Sequence, residues 1–430
     1  MIVSATAVTF WDAEISGTEI AHRREALGTA RMALDGIKRQ AASNFDLIKK
    51  YTADDPFYQT TVTIIDLDLY TKQVKVVVSW QTQGTARGQV ELTAVVTDRR
   101  AALSGSTCLA SPGGGLPVVN SNLVLSTANG STGVVVRNHL AYVTTNSSVL
   151  KMEDFFVVDV TDPLHPTTVS KLHTGPGLMS IAVSGNNAFV ANASINGQMQ
   201  IIDISNPVAP ILKSSYKLPG HYTDNATVGN VIAYSNNRVY LGTQKSQIAE
   251  FHVIDVTNPV APVELGSYEI GAGINAIMIV GQNAYVASPS SEELKILDVS
   301  NPASIRQASG FDAPGGSGNG KSLAILDDLV FLGRTVGGKE LYVLQYSGPQ
   351  MTELSERNLD TSTVNVTAVP SWLFMATTDT AKSLQIWNTE DPANPTLAKS
   401  LGITDKITAL ACGRDKLYLA TSNGLTIITP

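Results

Sequence analysis

The chain has 430 residues, of which 43% are hydrophobic and 16% are charged, and its formal net charge is −7. This composition supplies a large apolar core and excludes a disordered chain. No run of lysines and arginines exceeds two residues, so the charge pattern does not suggest nucleic acid, and we expect no nucleic-acid partner. No apolar stretch reaches the length of about 18 residues that a membrane span needs, so we expect no membrane anchor in this chain.

Residues 1–46 are predicted to form one long helix. Ile20, Leu27, Leu34 and Ile37 follow one another at spacings of seven, seven and three residues. That spacing places them on one face of a helix and predicts an apolar stripe that packs on another element.

Residues 60–97 change to an alternation with a period of two, which predicts half-buried strands. The alternation is clearest over Val74–Trp80 and Val90–Val96, and Thr61–Asp66 supplies a third strand. We therefore expect residues 1–100 to be a small α+β domain, a long helix plus a three-stranded antiparallel meander. Residues 101–117, rich in Gly, Ser and Pro, are predicted to link it to a second domain at 118–430.

The long helix and the meander ending in VSWQTQGTARGQVELTAVVTDRR (78–100) resemble a type IV pilin-like subunit. In this resemblance Ile2–Ser16 corresponds to the second half of the pilin N-terminal helix. The prepilin leader and the apolar membrane segment are expected to be absent from this chain. The resemblance implies other pilin-like subunits as partners through the N-terminal helix. An unrelated helix-plus-sheet adaptor is the alternative.

From residue 118 onward the chain repeats one phrase, an apolar run followed by Asp and then by Asn-Pro or Asp-Pro. The four full copies lie at residues 157–163, 201–207, 253–259 and 296–302. Two weaker copies end at Pro349 and Pro392, and a last apolar strand covers Leu425–Ile428. Units of about 40–50 residues suit four-stranded propeller blades. Asn122–Thr127 is predicted to close the seventh blade as its fourth strand.

The polar residue that ends each apolar run is interpreted as structural, because it can accept a backbone N–H in the following turn. These residues are Asp159, Asp203, Asp255, Asp298 and Asn388. The phrase resembles the LVIVD repeat of bacterial and archaeal surface proteins, through six recognisable copies. The resemblance implies a mainly β fold, a seven-bladed β-propeller, and no well-defined shared chemistry.

Residues 315–322, GGSGNGKS, match the pattern of a phosphate-binding loop. That loop needs a helix N-terminus after it, whereas residues 322–331 repeat the strand–turn–strand pattern of the other units. We interpret the segment as a glycine-rich connection between blades. Lys321 remains a candidate for contact with a ligand, and nucleotide binding is not expected.

Further candidates for ligand contact lie in other connections between blades. His221, Tyr222 and Asp224 fall together in the longest unit, and His173 lies in an equivalent connection. A solvated loop is the alternative. The six histidines show no zinc-ligand spacing, and no pair of carboxylates can be placed across a cleft. We therefore predict no catalytic residue, no metal and no cofactor.

Propeller topology predicts the positions of the two cysteines. The first strand of a blade runs from one face, here called the upper face, to the lower face. The turn that carries Cys412 and the linker that carries Cys108 should both lie at the lower face. We expect a Cys108–Cys412 disulfide, with two free thiols as the alternative. The upper face then carries the polar candidate loops.

Three hypotheses of function follow. The first is a non-catalytic, extracellular protein of the cell surface or pilus, in which a pilin-like base presents the propeller for adhesion or for recognition of a protein or glycan. The second is a propeller hydrolase or lyase that acts on a polysaccharide, and the third is an envelope scaffold. We favour the first. Acids, histidines or a metal converging in the central channel would favour the enzyme.

Overall fold

The chain consists of two compact units, Met1–Gly105 and Ser106–Pro430. The computed structural model describes residues 7–10, 17–43, 50–68, 71–81, 87–97, 108–109, 118–125, 130–146, 152–220, 228–314, 319–335, 337–348, 350–413 and 415–430. No helix in these ranges combines the length and the apolar character that crossing a membrane requires.

In the first unit, one helix packs on an antiparallel sheet that has five strands within the described ranges. The elements are β1 (Ala7–Phe10), α1 (Gly17–Ser43), β2 (Tyr51–Asp54), β3 (Tyr58–Asp68), β4 (Thr71–Gln81) and β5 (Arg87–Thr97). The strand order is β1-β5-β4-β3-β2. The helix buries Ala26, Ala30, Leu34 and Ile37 against alternate residues of the sheet, among them Trp80. The predicted apolar stripe and the predicted strand alternation thus meet in one core.

The prediction of a single helix over residues 1–46 is wrong. The helix begins at Gly17, and Ala7–Phe10 form β1, which pairs with β5 from Ala7 opposite Thr93 to Phe10 opposite Val90. The β-favouring residues Val8, Thr9 and Phe10 pair with the edge strand β5, and the helical periodicity of the sequence gives no sign of this distant partner. The match of Ile2–Ser16 to a continuous pilin helix fails with it. β2 extends the opposite edge, so the sheet has five strands rather than the three predicted.

The second unit opens with β6 (Val118–Val124) and contains seven four-stranded antiparallel sheets within its described part. We number the sheets in chain order. Sheet 1 is β7 (Ser131–Arg137), β8 (Leu140–Thr145), β9 (Phe155–Asp159) and β10 (Thr167–Leu172); sheet 2 is β11 (Leu178–Ser184), β12 (Asn187–Asn192), β13 (Met199–Asp203) and β14 (Ile211–Tyr216). Sheet 3 is β15 (Gly229–Ser235), β16 (Arg238–Thr243), β17 (Phe251–Asp255) and β18 (Val263–Tyr268); sheet 4 is β19 (Ala276–Val280), β20 (Asn283–Ala287), β21 (Leu294–Asp298) and β22 (Arg306–Phe311).

The remaining three sheets follow the same meander. Sheet 5 is β23 (Gly320–Leu326), β24 (Leu329–Arg334), β25 (Leu341–Ser347) and β26 (Gln350–Arg357); sheet 6 is β27 (Thr363–Val369), β28 (Trp372–Thr377), β29 (Leu384–Asn388) and β30 (Thr396–Leu401). Sheet 7 is β31 (Ile407–Gly413), β32 (Lys416–Thr421), β33 (Gly424–Thr429) and β6. Hydrophobic clusters fill the spaces between neighbouring sheets, for example between sheets 1 and 2 and between sheets 7 and 1.

The first strands of consecutive sheets contact one another, and β31 contacts β7, which closes the ring. β6 pairs with β33, with Val124 opposite Gly424 and Val118 opposite Thr429. The unit is therefore a β-propeller whose closing sheet combines strands from both ends of the unit, and the outer edge of each described sheet is a single short fourth strand. The closing strand starts four residues earlier than the predicted segment, Asn122–Thr127. The first and last residues of this strand, Val118 and Val124, are 52% and 61% exposed. An alternation of buried and exposed residues therefore does not show where the strand begins and ends.

The apolar run of the repeat forms the third strand of its sheet and is buried on both faces. Asp159 Oδ1 then accepts the N–H of Thr161 at 2.8 Å. The same hydrogen bond, to the N–H two residues ahead, is made by Asp203, Asp255, Asp298 and Asn388 at 2.8–3.0 Å. Each of these five side chains therefore fixes the turn that ends its third strand.

The turn at Asp203 makes the stability of the propeller sensitive to acid. Lys213 Nζ lies 2.8 Å from Asp203 Oδ2, and this lysine, with Ser205, lowers the pKa of Asp203 from 3.8 to about 2. A carboxyl group whose pKa falls on folding stabilises the fold above its unfolded pKa, and the contribution is lost as pH falls through the folded pKa. We expect Asp203→Asn, which keeps an acceptor for Ser205, to unfold about 1 kcal/mol more easily at pH 7, a figure that allows for solvent screening.

This difference should shrink between about pH 4 and pH 2 and disappear at the lower value. Urea unfolding of the wild type and the variant at pH 7, 4 and 2.5 measures it. Lys213→Gln removes the same ion pair from the other side and serves as the matched variant. A destabilisation that is equal at all three pH values would contradict the expectation.

Candidate functional site

A central cavity of about 630 Å³ lies between the first strands of the propeller. All seven sheets contribute to its wall, mainly with residues from the first half of each first strand, such as Thr132, Ile181 and Ile277. Thr335 and Thr378, in the connections between second and third strands, also line it. The cavity therefore lies toward the upper face.

The described wall of this cavity contains no Asp, Glu, His or Cys. It consists of Ser, Thr, Asn, Gly and aliphatic side chains together with two lysines, Lys321 and Lys406. Elsewhere in the described ranges, no group of three or more His, Cys, Asp and Glu residues could hold a metal ion. The wall can donate hydrogen bonds and positive charge, and its described part offers no general base of the carboxylate or imidazole type.

Several polar side chains of the wall join neighbouring sheets. Asn230 Nδ2 donates to Ile274 O, and Asn275 Nδ2 donates to Gly320 O, both at 2.7 Å. The hydroxyls of Thr132 and Thr408 donate to Leu178 O and Ser131 O, also at 2.7 Å. Each bond runs to the backbone at the start of the next sheet, and that of Thr408 crosses the closure of the ring. These groups hold the cavity in shape.

Lys321 is the second residue of β23 and lies in the cavity wall. A strand therefore follows the glycine-rich segment where a phosphate-binding loop requires a helix. Burial, and to a smaller extent the charge of Lys406, lower the pKa of Lys321. Residues 315–318, the start of the matched motif, lie outside the described residues.

The other candidates for ligand contact do not join Lys321. His173 is exposed, and its Nδ1 lies 2.6 Å from Met152 O. It does not line the cavity. His221, Tyr222 and Asp224 lie outside the described residues.

A set of buried polar side chains near the upper face escaped the sequence analysis. Each stands just before a third strand and accepts a backbone N–H from the connection that leads to the next sheet. The bonds are Asp154 from Thr174 at 2.8 Å, Gln198 from Leu218 at 3.0 Å, Glu250 from Ile270 at 3.0 Å, Glu293 from Ala313 at 3.2 Å, Glu340 from Leu359 at 2.7 Å and Ser383 from Ile403 at 2.7 Å. All six precede the polar residue that ends the repeat's apolar run by five positions, which is the signal that could have revealed them.

Glu293 also holds the one arginine among the largest fully buried side chains of the described residues. Arg334 Nε donates to Glu293 Oε1 at 3.0 Å, and Arg334 Nη1 donates to Lys339 O at 2.7 Å. The guanidinium lies 5.4 Å from the ring centre of Tyr342, and burial raises the pKa of Tyr342 to about 12. This ion pair joins sheet 4 to sheet 5.

Cys108 and Cys412 form a disulfide, with their Cα atoms 4.8 Å apart. Cys108 and Leu109 are buried in a hydrophobic cluster with residues of sheets 6 and 7, including Phe374 and Leu417. Cys412 is the sixth of the seven residues of β31, so the bridge lies toward the lower face, away from the cavity. It ties the segment before β6 to the sheet that closes the ring.

Three stretches of the chain match the LVIVD repeat. They are residues 178–217, 232–270 and 274–312, which cover sheets 2, 3 and 4. Each matched stretch contains one full copy of the repeated phrase, with its buried third strand and the Asp that accepts a backbone N–H in the following turn. No curated protein matches the chain in sequence.

Solved structures share the architecture at low sequence identity. Virginiamycin B lyase from Staphylococcus aureus is 13% identical, with a TM-score of 0.54 over 71% of this chain and 97% of its own. A chain of the mitotic checkpoint complex is 13% identical, with a TM-score of 0.51 over 73% of this chain and 98% of its own. BamB from Moraxella catarrhalis aligns at 13% identity with a TM-score of 0.46. The first two alignments show the fold alone.

Proposed function

We propose that the second unit is a seven-bladed β-propeller that binds a polar ligand at its upper face, in the mouth and upper half of the central cavity, without transforming it. The observation that carries the proposal is the composition of the described wall, which offers hydrogen-bonding and cationic groups but no carboxylate or imidazole. Glycoside hydrolases typically place two carboxylates beside the bond that breaks, and histidine, aspartate and glutamate are the most frequent general acids and bases.

The buried acids near the upper face support the same proposal. Glu250, Glu293 and Glu340 each accept backbone N–H groups of the connection between consecutive sheets. Carboxylates engaged in this way hold the loops of the face in place. They therefore serve as structural groups beneath a recognition surface.

We further propose a location at the cell surface or outside the cell, with a role in adhesion or display. The buried disulfide supports an oxidising compartment, and the LVIVD repeats resemble those of surface proteins. The α+β unit carries no part of this proposal, because β1 replaces the helical segment on which a pilin-like base depended.

A binding screen with the intact chain tests the proposal. We expect saturable binding to members of a panel of immobilised acidic and neutral glycans, and an unchanged ligand mass after prolonged incubation. Thr378→Trp, an exposed residue of the cavity wall, should reduce binding at least tenfold by blocking the mouth. Val208→Trp is the matched control, because Val208 is 64% exposed in a turn between third and fourth strands, at the lower face.

Two results would contradict binding without turnover at this site. One is a fragment or elimination product in the mass spectrum of the incubated ligand. The other is equal loss of binding in Thr378→Trp and Val208→Trp, which would remove the cavity mouth as the site.

A further inference from the structure

Two lysines from different sheets line the same cavity without an acidic residue beside them in the described wall. Lys321 comes from β23 of sheet 5, and Lys406 directly precedes β31 of sheet 7. Lys321 lies at the register shift of β23, between the pairs Gly320–Arg334 and Ser322–Gly333. The N–H and the carbonyl of Lys406 both bond to Ser422, at 3.2 and 2.8 Å. The propeller thus holds the positive charges of Lys321 and Lys406 beside the same cavity.

Several other lysines of the propeller are paired with carboxylates. The pairs Lys171–Glu153, Lys213–Asp203, Lys295–Glu292 and Lys339–Glu356 have N–O distances of 2.7–2.8 Å. Lys321 is half-buried and Lys406 is exposed. Among the described residues, no acid contributes to the electrostatics of the Lys321 ammonium group. Burying a charge is unfavourable unless a counter-charge or hydrogen bonds compensate it, and a like charge nearby adds repulsion. Burial and Lys406 together lower the pKa of Lys321, as this arrangement requires.

We propose that the upper half of the central cavity binds an oxyanion, a carboxylate or phosphate group of a small polar ligand, with Lys321 and Lys406 as its counter-charges. This inference deepens the proposed binding function and rests on it. An anion between the lysines reduces their repulsion and compensates the charge of the half-buried Lys321. The cavity of about 630 Å³ lies in the range of small-ligand sites, so it has room for one or two sugar rings beyond the anionic group.

The polar and apolar lining fits the remainder of such a ligand. Asn230 and Asn275 each use one amide hydrogen to join neighbouring sheets, and each side chain also has an acceptor oxygen suited to a hydroxyl group. Met179 and Ile277 supply apolar contact for the face of a ring. A free phosphate ion and an acidic sugar share the anionic group, but only the sugar uses these further contacts.

Calorimetric titration of the intact chain with inorganic phosphate, glucuronate and glucose tests the inference at low and moderate salt. We expect glucuronate to bind, glucose to bind at least tenfold more weakly, and added salt to weaken glucuronate binding. Lys321→Gln and Lys406→Gln should each weaken glucuronate binding about tenfold, which corresponds to loss of one charge-assisted hydrogen bond. Lys382→Gln, an exposed lysine of an upper connection outside the cavity wall, is the matched control and should bind as the wild type does.

The outcomes distinguish a free phosphate ion from an acidic sugar as the ligand. They also distinguish failure of the anion site from failure of the proposed binding function. Phosphate binding as tight as glucuronate binding, lost in both lysine variants, supports a site for a free anion. Tighter glucuronate binding supports an acidic sugar. Neutral-glycan binding that Thr378→Trp abolishes and Lys321→Gln leaves unchanged overturns the anion site and retains the proposed function. If the wild type has a native circular dichroism spectrum and binds none of these ligands, both the anion site and the proposed binding function are overturned.

Discussion

Glu293→Ala is expected to destabilise the propeller by about 3–5 kcal/mol, because it leaves the buried guanidinium of Arg334 without its counter-charge. Arg334 is fully buried, and Glu293 Oε1 accepts its Nε at 3.0 Å. The same substitution removes the acceptor for the N–H of Ala313, at the connection between sheets 4 and 5. Urea unfolding followed by circular dichroism measures the change.

The neighbouring residue provides a matched control. Glu292 lies beside Glu293 in the connection between β20 and β21, and its side chain is 39% exposed, so Glu292→Ala, which breaks the ion pair with Lys295, should destabilise the propeller less than Glu293→Ala does. The double variant Glu293→Ala with Arg334→Met should be more stable than Glu293→Ala alone, because it removes the stranded charge. Equal losses for Glu292→Ala and Glu293→Ala would refute the structural role assigned to the buried pair.

The second large effect concerns the ring closure. Replacing Cys108 and Cys412 together by serine should lower the free energy of unfolding by about 4 kcal/mol, since the bridge restrains a very long loop of the unfolded chain. The cysteines are separated by 304 positions, and the bridge joins the segment before the closing strand to sheet 7. Loss of the bridge should therefore loosen the pairing of β6 with β33 first. Guanidinium unfolding and hydrogen exchange of the β6 amides measure both effects.

A thiol count on the unfolded, unreduced wild type checks the bond itself, with no free thiol expected. Reduction of the wild type should reproduce the stability of the double serine variant, which separates the bridge from the substitutions. Two thiols per chain, or unchanged protection of β6 after reduction, would contradict this account.

The buried residues and the cavity have different roles, and the predictions depend on that difference. Glu250, Glu293 and Glu340 are engaged by backbone N–H groups, so their removal should reduce stability. Lys321 has no carboxylate to lose among the described residues, so Lys321→Gln should leave the chain folded and change binding. Stability and binding measurements on the same variants therefore distinguish residues that hold the fold together from residues that contact the ligand.

Local chemistry made much of the propeller predictable. In a run such as Met199–Asp203, the apolar residues predict a buried strand, and the Asp that accepts a backbone N–H in the following turn predicts where the strand ends. Both signals lie within a few residues and recur along the chain, so the strands and their grouping could be inferred. Leu34 and Ile37 of the predicted helix stripe are buried, and Leu27 packs against the same core, because their periodicity is local; Ala26, which is also buried there, was not among the predicted residues.

Contacts between distant segments were decided by the tertiary structure alone. β1 exists because the edge of β5 offers backbone partners, and β6 takes its bounds from β33 at the other end of the unit. The position of the buried acids in the repeat is visible in the sequence, but the backbone N–H groups that they bind are identified only by the fold. Lys321 matched a phosphate-loop motif in the sequence, but its position beside Lys406 follows from the ring, which brings sheets 5 and 7 to one cavity. The sequence by itself determined the repeating sheets, since hydrophobic period and turn chemistry are local; the closure of the ring and the charge inside it depend on which distant strands meet.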